Sequence, residues 1–552
     1  MKKLIGYLLS IAELRKTRLT VKRLQKDLDA VRQYKLVAPP RSVETPSKPT
    51  PTAKPSVPPT PVAPPPAKPS VPSTPVTPPT GPTVPSISIL QADDYHLNDR
   101  NFTSLFGILR DKKVRVRVGV QVSGSCGAMI KACGVYHQHL KHISGHLETV
   151  SRLDKEELRK WRYHNVDIAT CAIDEALSAV IMEDHWQERS VPKDFDILFD
   201  RLWESNKETL LHCCAAAAFW VDYWRRIDGL HTFNVALVFS GSYIYGRVLL
   251  KLLTYTQAKC FVLESFASGY DYFFEERHQP IANNSRINHS TYYRSLLQTL
   301  GDQDKRNRDV VRAFNKMRSM KNKNVTQPNP GILPASIRGK CVSVVLGQVV
   351  NDFSLISGKG TVLCSIPAYK ELIATLLESD NSFVIFKAHP WEMKKQNLLS
   401  PYTEDALKEW AETLPDHQRS RLMIVGDWNL HQLLRISTYA ISLCSQSALE
   451  AAVEGLKPVI VGGAFYDNGG FTSNFTSPRE AALAINSGSL RGSLTLGEFT
   501  SFETFLATLL QTHLVNTDNS GRNKLIQRLT PYRPQGHVKT HQSELSVTST
   551  FA

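Results

Sequence analysis

The sequence predicts an α/β protein built on parallel sheets, preceded by a basic N-terminal helix and a proline-rich linker. Three observations carry this. Short apolar runs alternate with helical segments through the second half of the 552-residue chain. Chemically suggestive residues sit directly after those runs. A tract of Pro, Ser, Thr, Val and Ala separates the first 36 residues from everything that reads as globular.

The length exceeds one ordinary domain and predicts two or three. Residues 1–36 read as one helix: they lack Pro, and Gly6 is their only Gly. They hold ten Lys or Arg against Glu13, Asp27 and Asp29. Leu14, Val21 and Leu28 recur every seven, with Leu24 and Val31 at the complementary positions, as in a short coiled coil. Leu4, Leu8 and Ile11 beside Lys2 and Lys3 equally suit an anionic membrane surface. Homo-oligomerisation, contact with the inner-membrane surface and a helix without a partner stay open. The apolar stretch before Ala12 is short and charged helix follows it, so it reads as uncleaved. Residues 37–86 contain the imperfect repeat AKPSVPPTPVAPP and AKPSVPSTPVTPP, starting at Ala53 and Ala67. Proline at that density favours polyproline II, a semi-rigid spacer with a reach on the order of 150 Å.

From residue 87 the pattern is globular. Strands are expected at 114–120, 235–239 and 260–264, with a helical region over 151–230. Further strands are expected at 341–346, 383–387, 422–425, 438–443 and 458–461, separated by helices. Apolar runs this short suit strands buried on both faces, and such sheets bind ligands at the carboxyl ends of their strands. The expected boundaries are 87–335 for a first Rossmann-like domain, 336–515 for a second, and 516–552 for a tail.

The formal net charge of +15 attracts polyanions without choosing among them. No nucleic-acid-binding module is recognisable, so nucleic acid is not an expected partner. No run of about 18 apolar residues predicts a membrane-spanning helix. Nine cysteines without a CxxC pair predict reduced thiols in a cytoplasmic protein rather than a zinc or redox motif. No carboxylate pair suggests a metal site, and no cofactor is expected.

Three turns carry chemistry. Lys387-Ala388-His389-Pro390 follows the strand 383–387, and a cation with a nearby donor at a strand end suits an anion. Cys444-Ser445-Gln446-Ser447 follows the strand ending at Leu443 and opens a helix containing Glu450. Gly462-Gly463-Ala464-Phe465-Tyr466 and Gly469-Gly470-Phe471-Thr472 follow the last strand.

The order of these motifs, with Glu454-Gly455-Leu456-Lys457-Pro458-Val459 between the second and third, resembles the capsule polysaccharide biosynthesis and export glycosyltransferases. Gln348, in Leu346-Gly347-Gln348-Val349-Val350-Asn351-Asp352, is similar to that family's Gln-containing segment. The resemblance covers roughly residues 235–475. It implies a GT-B fold of two Rossmann-like domains. It also implies transfer of Kdo (3-deoxy-manno-octulosonate), or a related acidic sugar, from a CMP-linked donor to a glycan or glycolipid. Lys387, His389 and Pro390 would hold the CMP phosphate. Gln348, Ser445, Gln446, Ser447, Glu450 and Tyr466 would line the nucleotide site. Gln446 departs from the small hydroxyl residue common in relatives. Glu264 would be the catalytic carboxylate with His389 assisting, and Asp271 and Glu275 are its reserves. As base, acid or nucleophile its role stays open. Asn283 and Asn284 are candidates for sugar hydroxyls. The alternative is a non-catalytic protein that holds nascent glycan-lipid for the capsule-assembly machinery.

Overall fold

The computed structural model describes residues 86–188, 190–319, 327–392 and 401–530. The expected helix 1–36, all but the end of the linker 37–86, and residues 531–552 of the expected tail lie outside the described residues.

Fourteen strands form three sheets among the described residues: β1 (Ile87–Asp93), β2 (Val114–Val120), β3 (Arg162–Tyr163), β4 (Val166–Asp167), β5 (Val235–Phe239), β6 (Lys259–Ser265), β7 (Asp271–Glu276), β8 (Cys341–Leu346), β9 (Ser382–Lys387), β10 (Leu422–Val425), β11 (Tyr439–Ser442), β12 (Val459–Val461), β13 (Ser473–Phe475) and β14 (Val515–Asn516). The first large sheet runs β14-β7-β6-β5-β1-β2 and the second β10-β9-β8-β11-β12-β13. β3 and β4 pair only with each other. In the first sheet β2, β1, β5 and β6 are parallel, while β7 and β14 add antiparallel pairs. The second is parallel throughout. These are two Rossmann-like units, the expected GT-B-like class.

Every expected strand is present. Sequence reading missed β1, whose seven residues are all buried between β2 and β5. It also gives no strand after Glu264, where β7 returns antiparallel to β6. The helical region expected over 151–230 includes Ile168–Val180 and Lys207–Arg225. Trp186, Trp220 and Trp224 are fully buried there. Gly119 in β2 meets Trp224 so closely that a Cβ would lie 2.5 Å from its ring, which excludes any side chain.

The boundary at 515/516 differs from expectation. β14 pairs with β7 of the first sheet, and helix Asn519–Leu529 packs against helix Thr103–Leu109. Lys524 Nζ donates to the carbonyls of Gln511 and Leu514, and Arg528 to those of Phe274, Thr512 and His513. The first part of the expected tail is thus a returning element of the first domain. Among the described residues, no helix is long and apolar enough to cross a membrane.

Candidate active site

Numbered from β8, the second sheet has the order 3-2-1-4-5-6, which reverses between β8 and β11. Ligands of open parallel sheets bind in the crevice at such a reversal. Here the loops after β8 and β11 meet: Cys444 Sγ lies 3.7 Å from Ser354 Oγ. Gln348 donates from Nε2 to Ser354 Oγ at 2.9 Å and Asp352 Oδ2 at 3.3 Å, and its backbone N–H donates to Tyr369 Oη. Gln348 is 6% exposed, yet its Oε1 has no hydrogen-bond partner among the described residues. A buried orphan acceptor is costly and marks a place for a donor.

Lys387 ends β9 and is buried. Its Nζ donates to the carbonyls of Ala388 at 3.0 Å and Gly426 at 2.7 Å. It therefore clamps the ends of β9 and β10, which spends two of the three donors of an ammonium. Burial lowers its pKa, with Glu404 and Asp427 opposing. His389 Nδ1 accepts from the Trp391 N–H at 3.1 Å, which places the proton of a neutral ring on Nε2. Pro390 is exposed at the turn.

Sequence reading gave no role to Glu392, which joins this turn to the Gln348 loop. It is 1% exposed and accepts from Val350 N, Thr403 N and Thr403 Oγ1. A carboxylate two residues past an exposed turn proline gives no sign in sequence that it points inward.

Ser445 Oγ donates to Ser447 Oγ at 3.2 Å and accepts from Ser447 N at 3.3 Å, at the start of helix Ser447–Val453. The Ser445 carbonyl accepts from Tyr466 Oη at 2.6 Å, so Tyr466 buttresses the loop from beneath. Gln446 turns the other way. Its Oε1 accepts from Ala267 N of the first domain at 2.7 Å. Glu450 lies apart from these, 3.6 Å from His431 Nε2; burial raises its pKa and His431 opposes.

Glu264 stands near the end of β6. Burial pushes its carboxyl up to about 8; Ser240 opposes, Asp352 of the facing domain adds to the rise, and the Ser265 N–H opposes. Ser240 was not foreseen. It takes φ 56° without being glycine, and such strain clusters at functional sites.

The reserves are structural. Asp271 pairs with Lys316 at 2.5 Å and accepts from Ser268 Oγ. Glu275 accepts from Ser285 and pairs with Arg277 and His513; it is held at about 2 because His513 and Arg277 outweigh its burial. The asparagines are likewise committed. Asn283 donates to the Gly463 carbonyl and accepts from Phe465 N, both at 2.9 Å. Asn284 donates to the Ser357 carbonyl at 2.9 Å and accepts from Lys359 N at 2.7 Å. Each bridges the two domains through both ends of its amide. Among the described residues, no group of three or more His, Cys, Asp or Glu is placed to hold a metal.

Residues 311–482, which contain the whole second sheet, match the family model described as capsule polysaccharide biosynthesis protein. That stretch is similar to capsule polysaccharide biosynthesis proteins. The motifs at Lys387, Ser445 and Gly462 all fall inside it. No curated protein matches. Solved structures with some similarity include Thermosulfurimonas dismutans KpsC, beta Kdo 2,4 transferase, with 15% identity, 54% of this chain, 87% of that chain and a TM-score of 0.37. The beta Kdo 2,7 transferase of the same KpsC has 13% identity, 56% and 89% coverage and a TM-score of 0.32. S. aureus MnaA with UDP has 8% identity, 81% and 99% coverage and a TM-score of 0.30.

Proposed function

We propose that the chain is a capsule or lipopolysaccharide glycosyltransferase, working on the cytoplasmic side, that moves Kdo or a related acidic sugar from a CMP-linked donor to a glycan or glycolipid. The observation that carries this reading is Glu264. A carboxyl raised to about 8 stands at a strand end of one domain, opposite Asp352 beside the ligand crevice of the other. Catalytic pKa values near working pH serve proton transfer best. The similarity to capsule biosynthesis proteins around that crevice adds independent support.

In this account the nucleotide occupies the crevice, and a nucleotide hydroxyl or amine satisfies Gln348 Oε1. His389 Nε2–H and the third Lys387 proton face the phosphate, where charge grows as the sugar–oxygen bond breaks. The acceptor hydroxyl attacks the sugar carbon, and its proton passes to ionised Glu264. Ser445, Ser447 and Tyr466 shape the nucleotide wall. Calorimetry with CMP, UDP and GDP tests the donor. Preferential CMP binding, weakened by His389→Ala, is expected; UDP or GDP binding without CMP binding overturns the donor class.

A further inference from the structure

The first sheet has a reversal of its own. Its four parallel strands lie in the order β6-β5-β1-β2, so the chain turns back between β1 and β5. Ligands of open parallel sheets bind at the carboxyl ends beside such a reversal. Asp93 ends β1, Phe239 ends β5, and Glu264 stands near the end of β6, the next strand along. His96 follows three residues after Asp93.

A relay of hydrogen bonds fixes this histidine. Asp93 is fully buried and accepts from the backbone N–H groups of Tyr95 at 2.9 Å and His96 at 2.6 Å. Tyr245 Oη donates to Asp93 Oδ2 at 2.8 Å and lies 2.9 Å from His96 Nδ1. Tyrosine has one hydroxyl proton, and the carboxylate takes it. The second bond therefore needs a proton on Nδ1, with Tyr245 Oη accepting. A neutral His96 then carries its lone pair on Nε2. Tyr243 at 4.8 Å and Phe239 at 4.9 Å, both roughly parallel to the ring, and Tyr95 edge-on at 4.8 Å hold it in place. The relay is closed to solvent at Asp93 and Tyr245, whereas the His96 side chain is 13% exposed. Its Nε2 has no partner among the described residues and is not closed off from solvent.

Tyr243 joins this group to the crevice: its ring meets Phe353 of the second domain at 5.1 Å, between Asp352 and Ser354 in the chain. Neighbouring strands lie about 4.8 Å apart, so the ends of β1 and β6 stand about 10 Å from each other. Side chains reaching from those two ends, His96 and Glu264, can bracket one sugar ring.

We propose that His96 is a specificity-determining residue for the acceptor: its Nε2 accepts a hydrogen bond from one hydroxyl of the sugar whose other hydroxyl attacks beside Glu264. The assignment rests on the transferase reading for what that sugar is. His96 holds the acceptor and takes no proton from it.

The test uses the full chain with nitrogen-15-labelled histidine, the His96 signals being assigned with His96→Gln. At a pH where the ring is neutral it should be the Nδ1–H tautomer, and Tyr245→Phe should release it to a mixture. An Nε2–H tautomer in wild type overturns the proposal, because Nε2 would then donate. Diethyl pyrocarbonate acylates accessible, unprotonated imidazole nitrogens and should modify His96; an unmodified His96 overturns it too. Methyl glycosides of glucose, galactose and Kdo are then titrated by saturation-transfer NMR, and at least one should bind and protect His96 from acylation. His96→Gln keeps an acceptor near the Nε2 position and should bind that glycoside within about threefold of wild type, whereas His96→Asn keeps only a donor toward Tyr245 and should bind it at least about tenfold more weakly. Equal loss in both variants describes a merely structural histidine and overturns the proposal, as does equal binding in both or binding of no glycoside. If CMP binds and His96 fails these tests, the acceptor assignment falls and the transferase reading stands. If His96 passes them and CMP does not bind, the donor assignment falls alone.

Discussion

The carboxamide oxygen of Gln446 accepts a hydrogen bond from the backbone N–H of Ala267 at 2.7 Å. Gln446 opens the helix Ser447–Val453 of the second domain, and Ala267 lies three residues past Glu264 in the first. One bond thus sets the loop after Glu264 against the loop proposed to line the nucleotide. Gln446→Ala should lower kcat roughly fivefold, the worth of about 1 kcal/mol, with little change in CMP affinity. Kinetics and calorimetry on the same preparation check it. A loss confined to CMP affinity would place Gln446 on the nucleotide instead.

Glu264 should give a pH signature with two opposite signs. As the base it works ionised, so kcat/KM should rise with pH through about 8, and the limb should vanish in Glu264→Gln. Stability runs the other way. The folded pKa lies above the ordinary 4.5, so its contribution is complete below 4.5 and is lost as pH rises through about 8. Glu264→Gln should therefore melt higher than wild type, relative to their difference at pH 5, once the pH passes about 8. Parallel melting curves across pH check this.

Glu392 accepts from Val350 and Thr403, tying the His389 turn to the Gln348 loop. Glu392→Ala leaves buried donors unmatched and should cost about 2–4 kcal/mol of stability. CMP affinity should fall with it, although Glu392 touches no nucleotide in this account. Denaturant melts and CMP titration measure the two effects.

Deleting residues from 515 onward removes β14 and the helix that packs on Thr103–Leu109. Val515, Leu525, Ile526 and Leu529 are buried in the first domain's core. The truncated chain is expected to be insoluble or to unfold early. A fully stable truncation would restore the boundary that sequence alone suggests.

Legibility followed the length of the pattern. The second sheet was read strand by strand, because each apolar run is bounded by a turn and followed by a helix. β14 spans two residues, too few to show a period, and its partner β7 lies far back in the chain. The turns at Lys387, Ser445 and Gly462 were visible because they follow strands. Their partners are not: Asn283 reads as a candidate for sugar hydroxyls, and nothing in sequence shows that it bonds Gly463 and Phe465. Lys387 reads as a charge for a ligand, and nothing in sequence shows that two backbone carbonyls also hold it. Ser240 gave no signal, since a left-handed serine is invisible in sequence.

In the proposed reaction ionised Glu264 takes a proton during sugar transfer from a donor held in the second domain. The most direct measurement pairs nucleotide release from a CMP-linked acidic sugar with donor affinity, in wild type and Glu264→Gln, after each is shown to be folded. Release is expected in wild type and near-complete loss in the variant, with donor affinity close to wild type. Near-normal release from Glu264→Gln would contradict it.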